Sequence, residues 1–187
     1  MNTKLVVSLL AFLALFAGSA RAQEESPKVD VFVGYSYLRF NPNTSGVDSF
    51  GMNGGSASIA YNVNHWLSGV ADFGAYHNGG ILHTGLDGTL SSYLFGPRVS
   101  YHHYGRYTPF AQVLFGVAHA GASVSGASGS DNAFAMSVGG GLDVGFKRHL
   151  TLRPFQFDYL LTRFGEGTGS ARSQNNLRVS TGVVFRF

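Results

Sequence analysis

The last stretch of the chain has the clearest alternation of hydrophobic and polar positions. Between Asn175 and Phe187, positions of one parity are apolar almost throughout, and positions of the other parity are mostly polar. A period of two residues indicates a β-strand whose faces meet different surroundings. In a water-soluble sheet the polar face meets solvent, whereas in a membrane barrel the apolar face meets lipid and the polar face lines the interior. The pattern predicts a strand and leaves both kinds of sheet open.

Seven further strands follow from the same alternation. They are predicted at 29–40, 54–61, 66–76, 89–101, 109–119, 133–146 and 150–161. Two prolines interrupt the pattern. Pro97 cannot donate to a ladder and therefore predicts a local bulge or a missing hydrogen bond. Arg153 has the parity of the apolar face, unless Pro154 marks a bulge that resets it.

The predicted connections alternate in length. Long loops are predicted at 41–53, 77–88, 120–132 and 162–174, and short turns at 62–65, 102–108 and 147–149. Bacterial transmembrane barrels combine an even number of strands with long loops at one end and short turns at the other. A soluble barrel has no reason to alternate in this way. The sequence therefore predicts an all-β fold, an eight-stranded antiparallel up-and-down transmembrane β-barrel.

The N-terminal residues have the features of an export signal. Lys4 precedes an apolar run over 5–17, and Ala20-Arg21-Ala22 has the form of a cleavage site. The run is shorter than the roughly 20 residues that a membrane-spanning helix needs. We therefore expect a signal peptide at 1–22, a short polar lead-in at 23–28 on the periplasmic side, and a barrel domain at 29–187.

Charge and cysteine content exclude several kinds of partner and stabilising bond. The chain has 13 Lys and Arg against 10 Asp and Glu, and loss of Lys4 and Arg21 with the signal peptide would lower the formal charge from +3 to +1. A nearly neutral chain is not expected to bind nucleic acid. The absence of cysteine from the sequence excludes disulfides and thiolate zinc sites.

Several segments resemble a known family over 29–187. They include VFVGYSYLRF, SSYLFGPRVSY, TPFAQVLFGVAHA, LRPFQFDYLLTRF and NNLRVSTGVVFRF, and they resemble the outer-membrane β-barrel domain family, with barrels like that of outer-membrane protein A. The resemblance implies a monomer in the bacterial outer membrane with both termini in the periplasm. It implies contact with outer-membrane lipid and lipopolysaccharide. It also implies that Phe185 and Phe187 form the signal read by the barrel-insertion machinery.

Polar residues on the inward parity are the candidate functional set. An eight-stranded barrel is about wide enough for side chains alone, so we expect these residues to form a paired plug rather than a proton or ion path. Arg98 is expected to pair with Asp72 on the adjacent strand, or with Asp143 or Asp158. The predicted lumen network comprises Asp72, Arg98, Gln112, Asp143, Asp158 and Arg178.

No catalytic, cofactor or metal site is predicted. The seven histidines include no pair with the spacing of metal ligands on a helix. Outer-membrane lipid A deacylases are similar in size but use a histidine two residues before a serine, and no histidine here has that neighbour. Gly139, Gly140 and Gly141 precede no helix, so they are expected to relieve crowding in a strand rather than bind phosphate.

The sequence thus favours a structural outer-membrane protein that could also adhere through its loops. The alternatives are a lipid-modifying barrel enzyme and a soluble lipocalin-like barrel, which would need its charges outside and its aromatics inside. Aromatic residues near strand ends predict two interfacial girdles. They are Tyr37, Tyr76, Tyr93 and Tyr159 at one end, and Tyr61, Trp66, Tyr101, Tyr104, Tyr107, Phe146 and Phe187 at the other.

Overall fold

Eight antiparallel strands form a closed barrel. The computed structural model describes residues 27–41, 49–81, 86–102, 105–124, 127–164 and 172–187. The strands are β1 Val29–Phe40, β2 Phe50–Asn62, β3 Leu67–Ile81, β4 Leu86–Ser100, β5 Tyr107–Val124, β6 Ala127–Lys147, β7 Leu150–Phe164 and β8 Arg172–Arg186. Each strand pairs with its neighbour in the chain, and β1 also pairs with β8. The predicted fold is confirmed.

No helix within the described ranges is long and apolar enough to cross a membrane. The predicted signal peptide, 1–22, lies outside the described residues, as does most of the lead-in. The end of the lead-in is tied to β2, because Asn62 donates to the carbonyls of Pro27 and Lys28.

The two faces of the barrel have opposite character. Phe95, Val117 and Phe157 on the outer face are each more than half exposed. The alternate positions point inward and are buried, including Asp72 and Arg178. A soluble lipocalin-like barrel would require the reverse arrangement, so that alternative does not fit. An apolar outer face around an interior that holds the charged groups is the pattern of a transmembrane barrel.

The barrel has two distinct ends. We call the end with Val29 and Phe187 the terminal end, and the end with Phe40 and Phe50 the loop end. At the terminal end short connections join the strands, and the backbones of Val29 and Phe187 bond each other in both directions. Both chain ends of the barrel domain therefore lie together.

At the loop end the strands are longer than the sequence predicted, so the predicted loop bounds are wrong. The pairing of β3 with β4 continues through His77 and Thr89 to Gly79 and Asp87, and β5 and β6 remain paired as far as Val124 and Ala127. These segments are rich in Gly, Ser and Asn, which favour loops in sequence. Backbone pairing satisfies their N–H and C=O groups whatever the side chain, so the ladder extends through them.

The strand pairing is irregular at both prolines that the sequence singled out. The pairing of β4 with β5 is interrupted at Gly96 and Pro97 and resumes at Arg98 in the same register. Pro97 thus marks missing ladder contacts rather than a bulge. At Pro154 the register of β7 against β8 shifts between Arg153 and Gln156. This confirms the bulge, which turns Arg153 into the lumen, where it is 1% exposed.

Most of the predicted girdle residues face outward, but one assignment is wrong. Tyr37, Tyr93 and Tyr159 are exposed toward the loop end, and Tyr61, Tyr101 and Tyr107 toward the terminal end. Tyr76 is only 3% exposed. It has the inward parity of β3, with Asp72 and Gly74, so its ring fills the lumen. Tyr104 lies outside the described residues.

Candidate functional site

The lumen is divided into an apolar half and a charged half. Toward the loop end, aliphatic side chains and one tyrosine ring form a buried cluster: Leu38, Met52, Ala60, Val70, Tyr76, Leu90, Leu94, Leu114, Ala118, Ala135 and Leu160. Ala60 and Val70 extend this cluster down one wall. Toward the terminal end, the strands contribute buried Asp, Arg and Gln side chains. We call these the charged layer. It comprises Asp72, Arg98, Gln112, Asp143, Arg153, Gln156, Asp158 and Arg178.

Arg178 of β8 is the centre of the charged layer. Its Nη1 donates to Asp72 Oδ1 across the lumen at 2.6 Å, and its Nε donates to Asp158 Oδ2 on β7 at 3.0 Å. Its Nη2 lies 2.9 Å from the same Asp158 oxygen. Arg178 and Asp158 are fully buried. One guanidinium therefore bridges two carboxylates from opposite sides of the barrel, with the planar geometry that arginine favours.

Arg153 occupies a second position, nearer the terminal end. Its Nε and Nη2 donate to the two oxygens of Asp143 at 2.7 and 3.0 Å, and its Nη1 donates to Gln156 Oε1 at 2.9 Å. The guanidinium carbon also lies 4.6 Å from the centre of the Phe32 ring and 4.3 Å from that of Phe110. Aromatic faces attract a desolvated cation, so these rings add to the ion pair.

Arg98 is held differently from what the sequence predicted. Its Nε and Nη2 donate to Gln112 Oε1 at 3.0 and 2.8 Å, and its guanidinium lies 4.6 Å from the Phe110 ring centre. Gln112 in turn donates to Asp158 at 3.0 Å. The expected pairing of Arg98 with Asp72 is wrong, because Asp72 pairs with Arg178. Arg98 instead reaches Asp158 through an amide.

Small residues provide the space for these groups. A Cβ on Gly139 would collide with the Asp158 carboxylate, and a Cβ on Gly141 would lie 2.9 Å from the Phe110 ring. The expectation that these glycines relieve crowding is therefore confirmed. On the wall formed by β8, β1 and β2, the Ser36 hydroxyl lies 2.6 Å from the hydroxyls of both Ser56 and Ser180.

The charged layer is balanced and closely bonded. It holds three aspartates and three arginines, and both glutamines use donor and acceptor groups within it. Opposite charges at hydrogen-bonding distance neutralise one another. Their side chains leave little space for a mobile ion. The geometry therefore closes the barrel at this level.

The histidines that the structure describes form no comparable cluster. His119 contacts Asn132, and His149 contacts the Arg186 carbonyl, both at exposed positions. His83 and His103 lie outside the residues whose side chains are described. Over the part of the chain that the structure describes, no group of three or more His, Cys, Asp or Glu residues could hold a metal ion.

Comparison with protein families decides the class of barrel. A model of the outer membrane protein beta-barrel domain matches residues 8–187. The chain belongs to this family. Membership places the barrel in the bacterial outer membrane, in agreement with its apolar outer face. A search of curated proteins gave no significant match.

Solved structures share the fold of this family member at low sequence identity. Neisserial surface protein A has 15% identity and a TM-score of 0.68, over 88% of this chain and 100% of its own. Ail, the attachment invasion locus protein of Yersinia pestis, has 15% identity and a TM-score of 0.61, over 87% and 100%. OprG from Pseudomonas aeruginosa has 10% identity and a TM-score of 0.53, over 87% and 97%. At these identities the likeness concerns the fold.

The structure places all six predicted network residues in the lumen and adds two. Arg153 was missed because its parity in the sequence is that of the outer face, and only the bulge at Pro154 signals the change. Gln156 has the parity of Asp158 in the sequence, but that parity does not identify it as a partner of Arg153 and Asp158. Phe185 and Phe187 lie exposed on the outer face at the terminal end. Their role in insertion stays a prediction.

Proposed function

We propose that this protein has a structural, non-catalytic role in the outer membrane, as a barrel that does not conduct ions. The observation that carries the proposal is the charged layer, whose carboxylates and guanidinium groups bond one another across the lumen. An ion crossing it would have to separate pairs such as Arg178 and Asp72, which are 0% and 1% exposed. Breaking such a pair by removing one partner costs roughly 3–5 kcal/mol.

The same proposal includes the orientation and partners of the barrel. The terminal end faces the periplasm, and the loop end faces the outside with its lipopolysaccharide. Phe185 and Phe187 are read by the insertion machinery, and the mature protein is a monomer. A cysteine introduced at Lys28 should then resist a membrane-impermeant maleimide in intact cells, whereas one at Gly129 should react. The natural sequence contains no cysteine that could interfere.

Planar bilayers test the central part of the proposal. Purified monomer should give no stable channel under conditions where a general porin, as positive control, conducts. Stable nanosiemens openings that scale with the amount of monomer would contradict the closed lumen. Openings that disappear on further purification would trace to a contaminating porin and leave the proposal standing.

Adhesion is a second candidate, favoured by the length of one hairpin. A membrane-spanning strand needs about 9–11 residues, whereas β5 and β6 have 18 and 21. Their paired ends extend from Ala120 and Asp131 to Val124 and Ala127 beyond the bilayer. Ail, a solved barrel of the same fold, is named as an attachment protein.

Shortening the hairpin tests adhesion. Deletion of 121–130 removes residues that pair with each other, together with the partners of 87–89 on β4, and leaves Ala120 next to Asp131. Bacteria that express the intact chain should bind cultured epithelial cells better than bacteria expressing the deletion at equal surface level. Equal binding by both would exclude the hairpin as an adhesin.

A further inference from the structure

A cavity opens at the loop end of the lumen, above the charged layer. Its volume is about 330 Å³. One wall is formed by Phe40, Phe50 and Met52, and the facing wall by Leu90 and Ala120. The Phe40 and Phe50 rings lie 5.3 Å apart, and both pack on the buried aliphatic cluster beneath them. We call this cavity the apolar cup.

The described side chains beneath the cup are closely packed. Directly below it Leu94, Leu114 and Leu160 are fully buried, and below these the charged layer closes the barrel. A general looseness of packing would leave space among those side chains as well. Because water gains few hydrogen bonds from apolar walls, water molecules in the cup are poorly held and readily displaced.

The polar groups near the cup lie at its rim. Three exposed polar residues, Thr89, Ser130 and Asp131, complete the lining together with Gly88, Gly121 and Gly129. Thr89 and Ser130 have the outward parity of β4 and β6, whereas Asp131 has the inward parity. The Asp131 carboxylate can accept a hydrogen bond from a hydroxyl head and repels an anionic one. The cup is about twice the size of an engineered 150 Å³ cavity that takes up benzene. Pockets of this size and character are typical of small-molecule sites.

We propose that the apolar cup binds a medium-length alkyl chain with an uncharged polar head, such as that of a primary alcohol. The chain enters from the loop end and lies against Phe40, Phe50, Met52 and Leu90, with its head at the rim. Because the charged layer lies below, the site binds this molecule without passing it through the lumen.

The methionines of the barrel provide a matched pair of probes. Met52 lines the cup, whereas Met136 lies on the outer face of β6 and pairs with Phe115 and Leu161. The protein is labelled with ¹³C-methyl methionine in nanodiscs of chain-deuterated lipid and titrated with 1-decanol. The Met52 methyl signal should shift saturably and show NOEs to decanol protons. Met136 should report only the linear effect of decanol dissolved in lipid.

Two substitutions change the cup in opposite directions. Ala120→Phe fills the cup and should raise the decanol concentration at half-saturation about tenfold or more. Displacing about two methylene groups of the alkyl chain is enough for a tenfold loss of affinity. Val117→Phe adds the same ring to the outer face of the same strand and should leave binding unchanged. Phe50→Ala enlarges the cup and should move the preferred alcohol to a longer chain, which keeps the test valid if Ala120→Phe fails to fold.

The outcomes separate the proposal from its rivals. Decanoate should bind at least several-fold more weakly than decanol because of Asp131. NOEs from Met52 to lipid in protonated nanodiscs before any addition would show that a membrane acyl chain occupies the cup and would overturn the preference for an uncharged head. Parallel linear shifts at Met52 and Met136, or equal binding by parent and Ala120→Phe, would overturn the proposal.

Discussion

Replacement of Arg178 by alanine should destabilise the barrel more than any other single change in the charged layer. The substitution removes contacts to Asp158 at 3.0 and 2.9 Å and to Asp72 at 2.6 Å. Asp158 would retain amide donors from Gln112 and Gln156, whereas Asp72 would lose its ion pair with Arg178. Removal of one member of a buried pair costs roughly 3–5 kcal/mol, and we expect a value in that range.

A double-mutant cycle distinguishes this pairing from others. Asp72→Ala alone should cost less, about 1.5–3 kcal/mol, because Arg178 keeps its contacts with Asp158. The combined variant should cost less than the sum, with a coupling energy of about 1–3 kcal/mol. The stability costs of Arg98→Ala and Asp72→Ala should instead be additive to within about 0.5 kcal/mol.

Reversible urea unfolding in lipid vesicles measures these energies. Trp66, the only tryptophan of the sequence, lies at the terminal end and reports the transition by its fluorescence. A coupling between Arg98 and Asp72 that exceeds the coupling between Arg178 and Asp72 would refute the arrangement described here. Additive costs in both cycles would show that water, rather than a partner, satisfies each charge.

Three further predictions concern the outer face, the glycines and the insertion signal. Val138→Arg should cost about 2–4 kcal/mol of stability in vesicles because it places a charge in mid-bilayer; no loss on urea unfolding would reverse the assignment of faces. Gly139→Ala should cost about 1–3 kcal/mol by crowding, whereas Gly69→Ala, with open space around it, should stay within 0.5 kcal/mol or so; equal costs would contradict the glycine argument. Phe187→Ser should slow assembly in cells, as measured by heat-modifiable migration on gels, and should leave folding into pure lipid vesicles unchanged. Slower folding in both would show that Phe187 acts in barrel folding rather than as an insertion signal.

The architecture could be predicted because period two is a local property of the chain. Strand number, strand direction and the inward parity of Asp72 or Arg178 follow from a few consecutive residues. The bulge at Pro154 could also be anticipated, since Arg153 is too polar for the face that its parity suggests. Strand ends at the loop end were less predictable, because outside the bilayer the ladder continues through Gly and Ser without any apolar signal.

The partners within the lumen could not be predicted in the same way. Arg178 and Asp72 are separated by 106 positions in the chain. Their contact depends on how the strands are staggered around the closed barrel, and no local pattern specifies that stagger. The adjacency of β3 and β4 suggested Asp72 as a partner of Arg98, with Asp143 and Asp158 as alternatives, but Arg98 is held by Gln112 nearer the terminal end. The division of the lumen into an apolar and a charged half depends on the same stagger.

Methyl NMR in lipid nanodiscs tests the central claim, that apolar side chains meet lipid outside and side chains fill the lumen inside. The outer methyl groups of Val99, Val117 and Val138 are 49, 51 and 42% exposed, whereas Leu94, Leu114 and Leu160 in the lumen are fully buried. NOEs to lipid acyl chains should arise from the three valines and not from the three leucines. Lipid NOEs from the three leucines would contradict the account. Contacts of the three valines with water instead of lipid would also contradict it.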